Sequence, residues 1–198
     1  NRITKKVADT RLKAAGLEIA RPFIYHHGGG TWYKNRETVI EVFLKCHAQL
    51  PNLRLVLSGG NLSLRQKELL QAHNAMAAVV DCGAVSREVL EALYSSASVF
   101  HFPSWCEGFG WPPVEAQACG CPVVASNAGS LAEVLGKSAA LFQPDDIAGM
   151  SEAAINLIND SLLSKSLVEK GLKNAARFTF EQMQAEYQKW VIVANSTS

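Results

Sequence analysis

The stretch SVFHFPSWCEGFGWPPVEAQACGCPVVAS, residues 98–126, contains a complete strand–helix–strand unit. It begins and ends with a short apolar run, and each run has the length of a buried strand. Between them we expect a helix that begins at Pro112 or Pro113, where a missing N–H costs nothing, and ends at Gly120. Two strands joined through a helix lie parallel, so this unit predicts an α/β fold with a parallel sheet.

The same alternation of apolar runs and helical segments continues along most of the chain. We predict six strands, at residues 22–27, 53–58, 77–81, 98–102, 122–126 and 139–142. Several polar side chains are placed to cap the intervening helices, namely Asn35, Ser63, Ser86, Asp145 and Asp146. After residue 144 the pattern is helical only. The prediction is a doubly wound, six-stranded parallel sheet with helices on both faces, a Rossmann-like fold.

The composition is that of a globular protein. The chain has 198 residues, 48% of them hydrophobic, and its formal net charge of +1 gives no indication of a nucleic-acid partner. The five cysteines are irregularly spaced, and we interpret them as small buried thiols of a reducing compartment. No signal peptide opens the chain, and no apolar run approaches the ~18 residues of a membrane span. We therefore expect a cytoplasmic protein.

The loop after the first predicted strand, HHGGGTWYKN, is suited to an anion. It contains three consecutive glycines, Gly28, Gly29 and Gly30. Their backbone N–H groups can approach an anion closely, and Lys34 adds a positive charge. Neither familiar phosphate motif fits, because a dinucleotide fingerprint needs a small residue at Tyr33 and a P-loop needs Gly before the lysine. The alternative is a plain turn with a solvated lysine.

Two glutamates, Glu107 and Glu115, flank the glycine loop EGFG and the start of the helix that follows. A helix N-terminus favours a phosphate, yet two carboxylates would repel one. The conflict is resolved if the carboxylates bind something else, and the two oxygens of a carboxylate suit a vicinal diol. A diphosphate flanked by a ribose diol and a hexose diol is a nucleotide sugar, which is the ligand we predict. Alternatively, Glu107 is an exposed loop charge and Glu115 a favourable first-turn residue of the helix.

The stretch FPSWCEGFGWPPVEAQACGCPVVAS, continued by NAGSLAEVLGKSAALFQPDD, resembles the C-terminal, donor-binding domain of retaining GT-B glycosyltransferases of family 4. The resemblance covers about residues 20 to 180. It implies an enzyme of polysaccharide biosynthesis, such as a mannosyltransferase. Such an enzyme transfers a hexose from a nucleotide sugar to a glycan or lipid-linked saccharide, with retention of the anomeric configuration. The donor it implies is GDP-mannose or a UDP-sugar.

The resemblance also assigns roles to residues. It implies that Glu107 contacts hydroxyls of the transferred sugar, that Glu115 binds the ribose diol, and that Lys34 binds the diphosphate. Glu107 and Lys34 are the implied catalytic residues. The other implied donor-binding residues lie in three loops, and they are Gly28, Gly29, Gly30, Cys82, Gly83, Val85, Gly108, Phe109 and Gly110. Loss of Glu107 is then expected to leave nucleoside diphosphate affinity nearly intact and to reduce the preference for the intact nucleotide sugar.

One position departs from the family pattern. The family often has an arginine and a lysine after the first strand, both on the diphosphate, and this chain has Gly29 where the arginine would fall. His27 and Arg36 are candidates to replace it, whereas His26 and His27 can equally be an ordinary strand end. The growing charge on the departing diphosphate would be stabilised by Lys34, the loop amides and the helix N-terminus.

The resemblance implies a second, acceptor-binding N-terminal domain, which these 198 residues lack. We therefore divide the chain into a lead-in at 1–20, a nucleotide-sugar-binding domain at 21–178 and a terminal helix at 179–198 that docks on that second domain. Association with the cytoplasmic face of a membrane would come only through the missing half. No cofactor or metal is expected, because PDD at 144–146 lacks the interrupted acid pair of metal-dependent transferases.

Two other classes of function stay open. A nucleotide-binding or regulatory module without transferase activity would account for the missing arginine. A dinucleotide-dependent dehydrogenase is disfavoured because the fingerprint fails at Tyr33.

Overall fold

The computed structural model describes residues 2–179 and, beyond them, residues 181, 182, 184 and 188. Its strands are β1 Phe23–His27, β2 Arg54–Ser58, β3 Val79–Asp81, β4 Val99–Phe102, β5 Val123–Ser126 and β6 Ala140–Phe142. Its helices are α1 Lys5–Ala14, α2 Arg36–Gln49, α3 Leu64–Ala72, α4 Arg87–Ser96, α5 Trp111–Ala118, α6 Leu131–Leu135, α7 Ile147–Asn159 and α8 Ser161–Ala175. All six predicted strands are confirmed, since their ends differ from the predicted ones by at most two residues.

The strands form one sheet in the order β3-β2-β1-β4-β5-β6, and every neighbouring pair is parallel. The order reverses at β1, which pairs with β2 on one side and with β4 on the other. In such sheets, ligands bind in the crevice outside the carboxyl ends of the strands at this reversal. The loops after β1 and β4 therefore border the expected binding site.

The sheet is covered on both faces, which confirms the predicted doubly wound fold. Successive residues of β1 alternate between two cores: Phe23 and Tyr25 belong to one, and Ile24 to the other. The first core contains residues of α1, α4, α5 and α6, whereas the second contains residues of α2, α3 and α7. Burial on both faces explains why the strands are mostly apolar rather than alternating between apolar and polar residues.

Most predicted helix caps are present. The side chains of Ser63, Ser86 and Asp146 accept hydrogen bonds from backbone N–H groups in the first turns of α3, α4 and α7. The cap predicted for Asn35 is wrong. Asn35 precedes α2 but makes no side-chain cap, because its backbone is left-handed with φ of 54° and its amide bonds elsewhere.

The segment 1–20, predicted as a lead-in, contains a helix that packs on the domain. Ala8 and Leu12 of α1 are buried in the first core, and Arg11 forms an ion pair with Glu91 of α4. The proposed division into three parts stays a prediction. The docking face predicted for 179–198 falls largely outside the described residues.

Of the five thiols, Cys46, Cys119 and Cys121 are buried, Cys82 is half-buried and Cys106 is exposed. The interpretation of all five as buried thiols is therefore wrong for Cys106, which lies in the loop after β4. Within the described part of the chain, no helix combines the length and the apolar character needed to cross a membrane.

A buried amide network joins α8 to α5. The Nδ2 group of Asn174 donates to Gln117 Oε1 at 2.8 Å and to the Val134 carbonyl at 3.0 Å. Gln117 in turn donates to the carbonyl and the hydroxyl of Ser138, at 3.0 and 2.8 Å. Buried amides need such partners, because an unpaired one costs most of its desolvation free energy.

We predict that Asn174→Ala lowers the free energy of unfolding by about 1–3 kcal/mol, because two buried acceptors lose their donor. Denaturant unfolding followed by circular dichroism measures this. The matched control is Asn156→Ala on α7, whose side chain is exposed. Equal stability of both variants would contradict a structural role for the network.

Candidate functional site

The site lies at the carboxyl ends of β1 and β4, where two loops face each other. The loop after β1 carries Lys34 in a short 3₁₀ turn, and the loop after β4 carries Glu107. Two contacts join them: the Trp105 backbone N–H donates to the Tyr33 carbonyl at 2.7 Å, and Lys34 Nζ donates to Glu107 Oε1 at 2.8 Å. The two implied catalytic residues are therefore in direct contact.

The Lys34–Glu107 ion pair is nearly buried. The side chain of Lys34 is 13% exposed and that of Glu107 is 11% exposed. Lys34 Nζ also lies 4.9 Å from the ring centre of Phe102 and 5.3 Å from that of Tyr33, so two aromatic faces stabilise the cation. Both alternatives from the sequence, a solvated lysine and an exposed loop glutamate, are wrong for this structure.

The loop after β5 fixes the backbone of Glu107. Its carbonyl accepts hydrogen bonds from the Ser130 N–H at 3.2 Å and the Ser130 hydroxyl at 3.0 Å. Gly129 has φ of +58°, and a Cβ there would lie 2.7 Å from the same carbonyl oxygen. Only glycine permits this contact without strain. The sequence analysis gave neither residue a role, although both lie in the stretch NAGS that follows β5.

The remainder of the EGFG loop leads into α5 through a left-handed glycine. Gly110 has φ of +89°, and a Cβ there would lie 2.4 Å from Leu131 Cδ2. Phe109 is anchored between Trp111, at 4.4 Å between ring centres, and Phe178, at 5.2 Å. Gly108 is exposed. The contact of these three backbone amides with a diphosphate stays a prediction.

Glu115 lies in α5 and faces outward. The helix begins at Trp111, one residue earlier than predicted, so Glu115 lies in its second turn and the first-turn alternative is wrong. The Tyr94 hydroxyl donates to Glu115 Oε2 at 3.3 Å. Burial raises the pKa of Tyr94 well above its ordinary value, and the nearby Tyr25 and Glu115 add to this, so the phenol stays protonated as a donor. The sequence analysis did not identify Tyr94, because its contact with Glu115 joins two different helices and leaves no local sequence signal.

Glycines pack the three loops after β1, β2 and β3 together. Gly59 has φ of +92°, and a Cβ there would lie 3.1 Å from the Gly28 backbone. A Cβ on Gly60 would lie 3.3 Å from the Gly30 nitrogen, and the Gly59 N–H donates to the Gly83 carbonyl at 2.8 Å. The predicted diphosphate loop and the predicted base loop therefore form one continuous surface. Gly59 and Gly60 are site residues that the sequence analysis missed.

Asp81, the last residue of β3, holds the loop that follows this strand. Asp81 accepts hydrogen bonds from the Leu62 N–H at 2.8 Å and from the Gly83 N–H at 3.4 Å. Cys82 and Val85 are half-buried, and burial with a contribution from Asp81 raises the pKa of the Cys82 thiol to about 11. A neutral thiol beside an apolar side chain suits a nucleobase, but the contact of Cys82, Gly83 and Val85 with a base stays a prediction.

The sequence matches the family described as glycosyl transferases group 1 over residues 10–174. The chain belongs to this family. It is 38% identical over 99 residues to the O-antigen chain mannosyltransferase B of Escherichia coli, a match that covers 50% of this chain and 26% of that protein. The chain thus spans only part of the length of that relative.

Solved structures share the fold. The C-terminal domain of a glycosyl transferase group 1 family protein from Francisella tularensis has a TM-score of 0.74 and 18% identity, over 88% of this chain and 96% of that one. A protein from Anabaena in complex with UDP and glucose has a TM-score of 0.80 and 18% identity, over 98% of this chain and 53% of that one. At these identities the likeness concerns the fold.

The two candidates for the missing arginine differ: two nitrogens of the Arg36 guanidinium, Nε and Nη2, are buried without a hydrogen-bond partner among the residues that the structure describes, whereas the His27 imidazole is hydrogen-bonded. The Arg36 guanidinium donates through one nitrogen to the carbonyls of Gly60 and Asn61, at 3.0 and 3.1 Å, and so braces the loop after β2. His27 Nδ1 lies 2.9 Å from Ser58 Oγ, and burial followed by the charge of Lys34 lowers its pKa. A neutral imidazole fits the strand-end interpretation better than a diphosphate ligand.

The Asn35 side chain connects the loops around the candidate site. Its Nδ2 group donates to the Pro103 carbonyl at 2.9 Å and to the Pro144 carbonyl at 3.0 Å, in the loops after β4 and β6. The side chain that was predicted to cap α2 therefore joins three loops at the carboxyl edge of the sheet. Within the residues that the structure describes, no group of His, Cys, Asp and Glu side chains could hold a metal ion.

Two buried imidazoles lie beneath this site. His26 Nδ1 donates to the His101 carbonyl at 3.0 Å, and His101 Nε2 lies 3.2 Å from Met150 Sδ. Burial lowers the pKa of each imidazole from 6.5 to about 3. Each imidazole therefore takes up a proton at a higher pH in the unfolded chain than in the folded one. The stability that depends on burying them in the neutral form is fully present above pH 6.5 and is lost as the pH falls toward 3.

We predict that the free energy of unfolding falls by up to about 1.4 kcal/mol per pH unit for each of the two imidazoles below about pH 6. Urea unfolding between about pH 6.5 and 5, where most carboxylates stay ionised, measures this slope. His101→Leu should flatten the slope, whereas His73→Ala, at an exposed position, should leave it unchanged. An unaltered slope in His101→Leu would show that this imidazole is not buried as described.

Proposed function

We propose that the chain is the donor-binding half of a retaining glycosyltransferase that transfers a hexose from a nucleotide sugar to a glycan or lipid-linked saccharide. The observation that carries the proposal is the buried Lys34–Glu107 pair at the reversal of strand order, with Glu115 on the exposed side of the helix that follows. Membership of the glycosyl transferases group 1 family supports it.

The diphosphate would lie over the N-terminus of α5. There the amides of Gly108, Phe109 and Gly110, the N-terminal dipole of α5 and the Lys34 ammonium would all contribute to binding the diphosphate. As the glycosidic bond breaks, negative charge grows on the departing diphosphate, and preorganised donors stabilise it without reorganising at that moment. Lys34 is held in place by Glu107 and two aromatic rings, which is the rigidity that this role needs.

The two ends of the donor would be bound by different glutamates. Glu115, oriented by the Tyr94 hydroxyl, would accept hydrogen bonds from the ribose diol. Glu107, with its backbone fixed by Ser130, would accept hydrogen bonds from the sugar hydroxyls. The glycine surface formed by the loops after β1, β2 and β3 would lie along the nucleotide, with Cys82, Gly83 and Val85 against the base.

Two donors are supported by different comparisons. The Escherichia coli relative is named as a mannosyltransferase, which favours GDP-mannose. The Anabaena structure contains UDP and glucose, which favours a UDP-sugar. The greater identity of the first makes GDP-mannose the primary candidate.

The acceptor half would be a second domain. The described residues provide one sheet and one crevice edge, and the Francisella tularensis structure is described as a C-terminal domain that this chain matches over nearly its whole length. The acceptor, and any contact with a membrane, would then belong to an N-terminal domain.

We predict that Glu115→Ala weakens the binding of GDP or UDP by about 1–3 kcal/mol, because charge-assisted hydrogen bonds to the ribose are lost. Isothermal titration calorimetry measures this. The control is Glu152→Ala, an exposed glutamate on α7. If Glu115→Ala weakened the binding of 2′,3′-dideoxy nucleotides as much as the binding of the ribonucleotides, Glu115 would not be the ribose ligand.

A further prediction concerns the isolated chain, which we expect to fold and bind donor yet to transfer no sugar. Orienting donor and acceptor together supplies about 7–11 kcal/mol of a reaction barrier, and the acceptor side is absent. The purified chain is incubated with GDP-mannose or UDP-glucose and saccharide acceptors, with and without a separately expressed N-terminal half. Efficient transfer by the chain alone would refute the two-domain proposal.

A further inference from the structure

We infer that the Lys34–Glu107 ion pair makes this site discriminate against a free nucleoside diphosphate and in favour of the intact nucleotide sugar. The inference rests on the proposed function and goes beyond it, because it concerns how the site rejects its own product. It follows from the geometry of the pair and from the charge of the ligand.

Neighbouring residues hold the Glu107 backbone and contact the Lys34 stem. The Glu107 carbonyl is bonded twice by Ser130, and Gly129 packs against the same backbone. On the other side, the Lys34 stem lies against Gly28, where a Cβ would be 3.4 Å from both Lys34 Cγ and Cδ. The Glu107 backbone and the Lys34 stem are therefore fixed beside each other, so a ligand meets the two charges together.

The two partners would bind different parts of the donor, Lys34 the diphosphate and Glu107 the sugar hydroxyls. A diphosphate that binds Lys34 competes with the Glu107 carboxylate for the same ammonium, and it brings a second anion next to that carboxylate. Because Glu107 is 11% exposed, little water is at hand to replace the lost hydrogen bonds. An uncompensated, nearly buried carboxylate is costly, so a free diphosphate binds at a penalty.

An attached hexose removes this penalty. Its hydroxyls are donors next to the diphosphate, and they can take the place of Lys34 on the Glu107 oxygens. The intact donor thus leaves every charge in the site compensated, whereas the product left after transfer leaves Glu107 without its full complement of donors. The pair therefore favours binding of the donor and release of the nucleoside diphosphate.

The pair changes one expectation from the sequence. The sequence does not show that Glu107 contacts Lys34, and from it we expect loss of Glu107 to leave nucleoside diphosphate affinity nearly intact. With Lys34 bonded to Glu107, neutralising the carboxylate should free the ammonium for the diphosphate and raise that affinity.

The test compares Glu107→Gln with the wild-type chain by calorimetry, using GDP, UDP, GDP-mannose, UDP-glucose and inorganic pyrophosphate. Glutamine keeps the shape and one acceptor for Lys34, so the fold should be retained. We expect the variant to bind the favoured nucleoside diphosphate roughly tenfold more tightly, to bind pyrophosphate more tightly as well, and to lose its preference for the sugar conjugate. The matched control is Glu68→Gln, the same charge change at an exposed position of α3, which should alter these affinities by less than about twofold.

A second readout separates discrimination by the ion pair from a general effect of removing one negative charge. Glu107→Gln should raise the affinity for the nucleoside diphosphate and for pyrophosphate, but not the affinity for the nucleotide sugar. The inference is overturned if Glu107→Gln binds the nucleoside diphosphate no more tightly than the wild type, or if its affinity for the nucleotide sugar rises by the same factor. Thermal denaturation of each variant without ligand confirms that the proteins compared are folded.

The failure of the proposed function would look different. If neither wild type nor Glu107→Gln binds any nucleoside diphosphate or nucleotide sugar at millimolar concentration, the donor site itself is rejected and this inference with it. If both bind and only the predicted change in preference is missing, the donor site stands and the discrimination by the ion pair is rejected.

Discussion

The reversal of strand order between β1 and β4 is the constraint on which the site depends. Crossovers on either side of this point lead away from each other, so the carboxyl ends of β1 and β4 border a crevice that no connection fills. The loops that emerge there carry Lys34 and Glu107, which are 73 positions apart in the chain and 2.8 Å apart in the structure. A parallel sheet without this reversal would place a helix over that edge.

Glycine decides how closely the loops can approach around this crevice. Gly59, Gly110 and Gly129 all have φ between +58° and +92°, and a Cβ at each would lie 3.1 Å or less from an atom of another loop or of α6. These contacts join backbone to backbone at two of the three positions, where no side chain can yield. The surface between these loops is therefore made largely of closely packed main chain.

The Lys34–Glu107 pair is not needed to stabilise the fold by burial. Two nearly buried charges lose much of their hydration, and a well-packed apolar pair of similar volume would stabilise a fold as well or better. Removing one partner is different, since the other charge is then left uncompensated at a cost of about 3–5 kcal/mol. A ligand that brings both an anion and hydroxyl donors satisfies the two charges separately. The nucleotide sugar proposed above is such a ligand.

The sequence by itself determined the strands, their parallel pairing, most helix caps and the two loops that carry the site. Those features are local: the apolar runs of β1 to β6, the Ser63 hydroxyl on its own first turn, and the glycines next to Glu107 act within a few residues. Only the tertiary structure decided what the polar side chains bond to. Asn35 bonds to carbonyls 68 and 109 positions away instead of capping α2, and Arg36 donates to the Gly60 carbonyl of a neighbouring loop. Tyr94 reaches Glu115 from another helix, and Lys34 meets Glu107 across the crevice. The physical reason is that a buried polar group must find a partner wherever the fold brings one, and the order of residues along the chain does not contain that proximity.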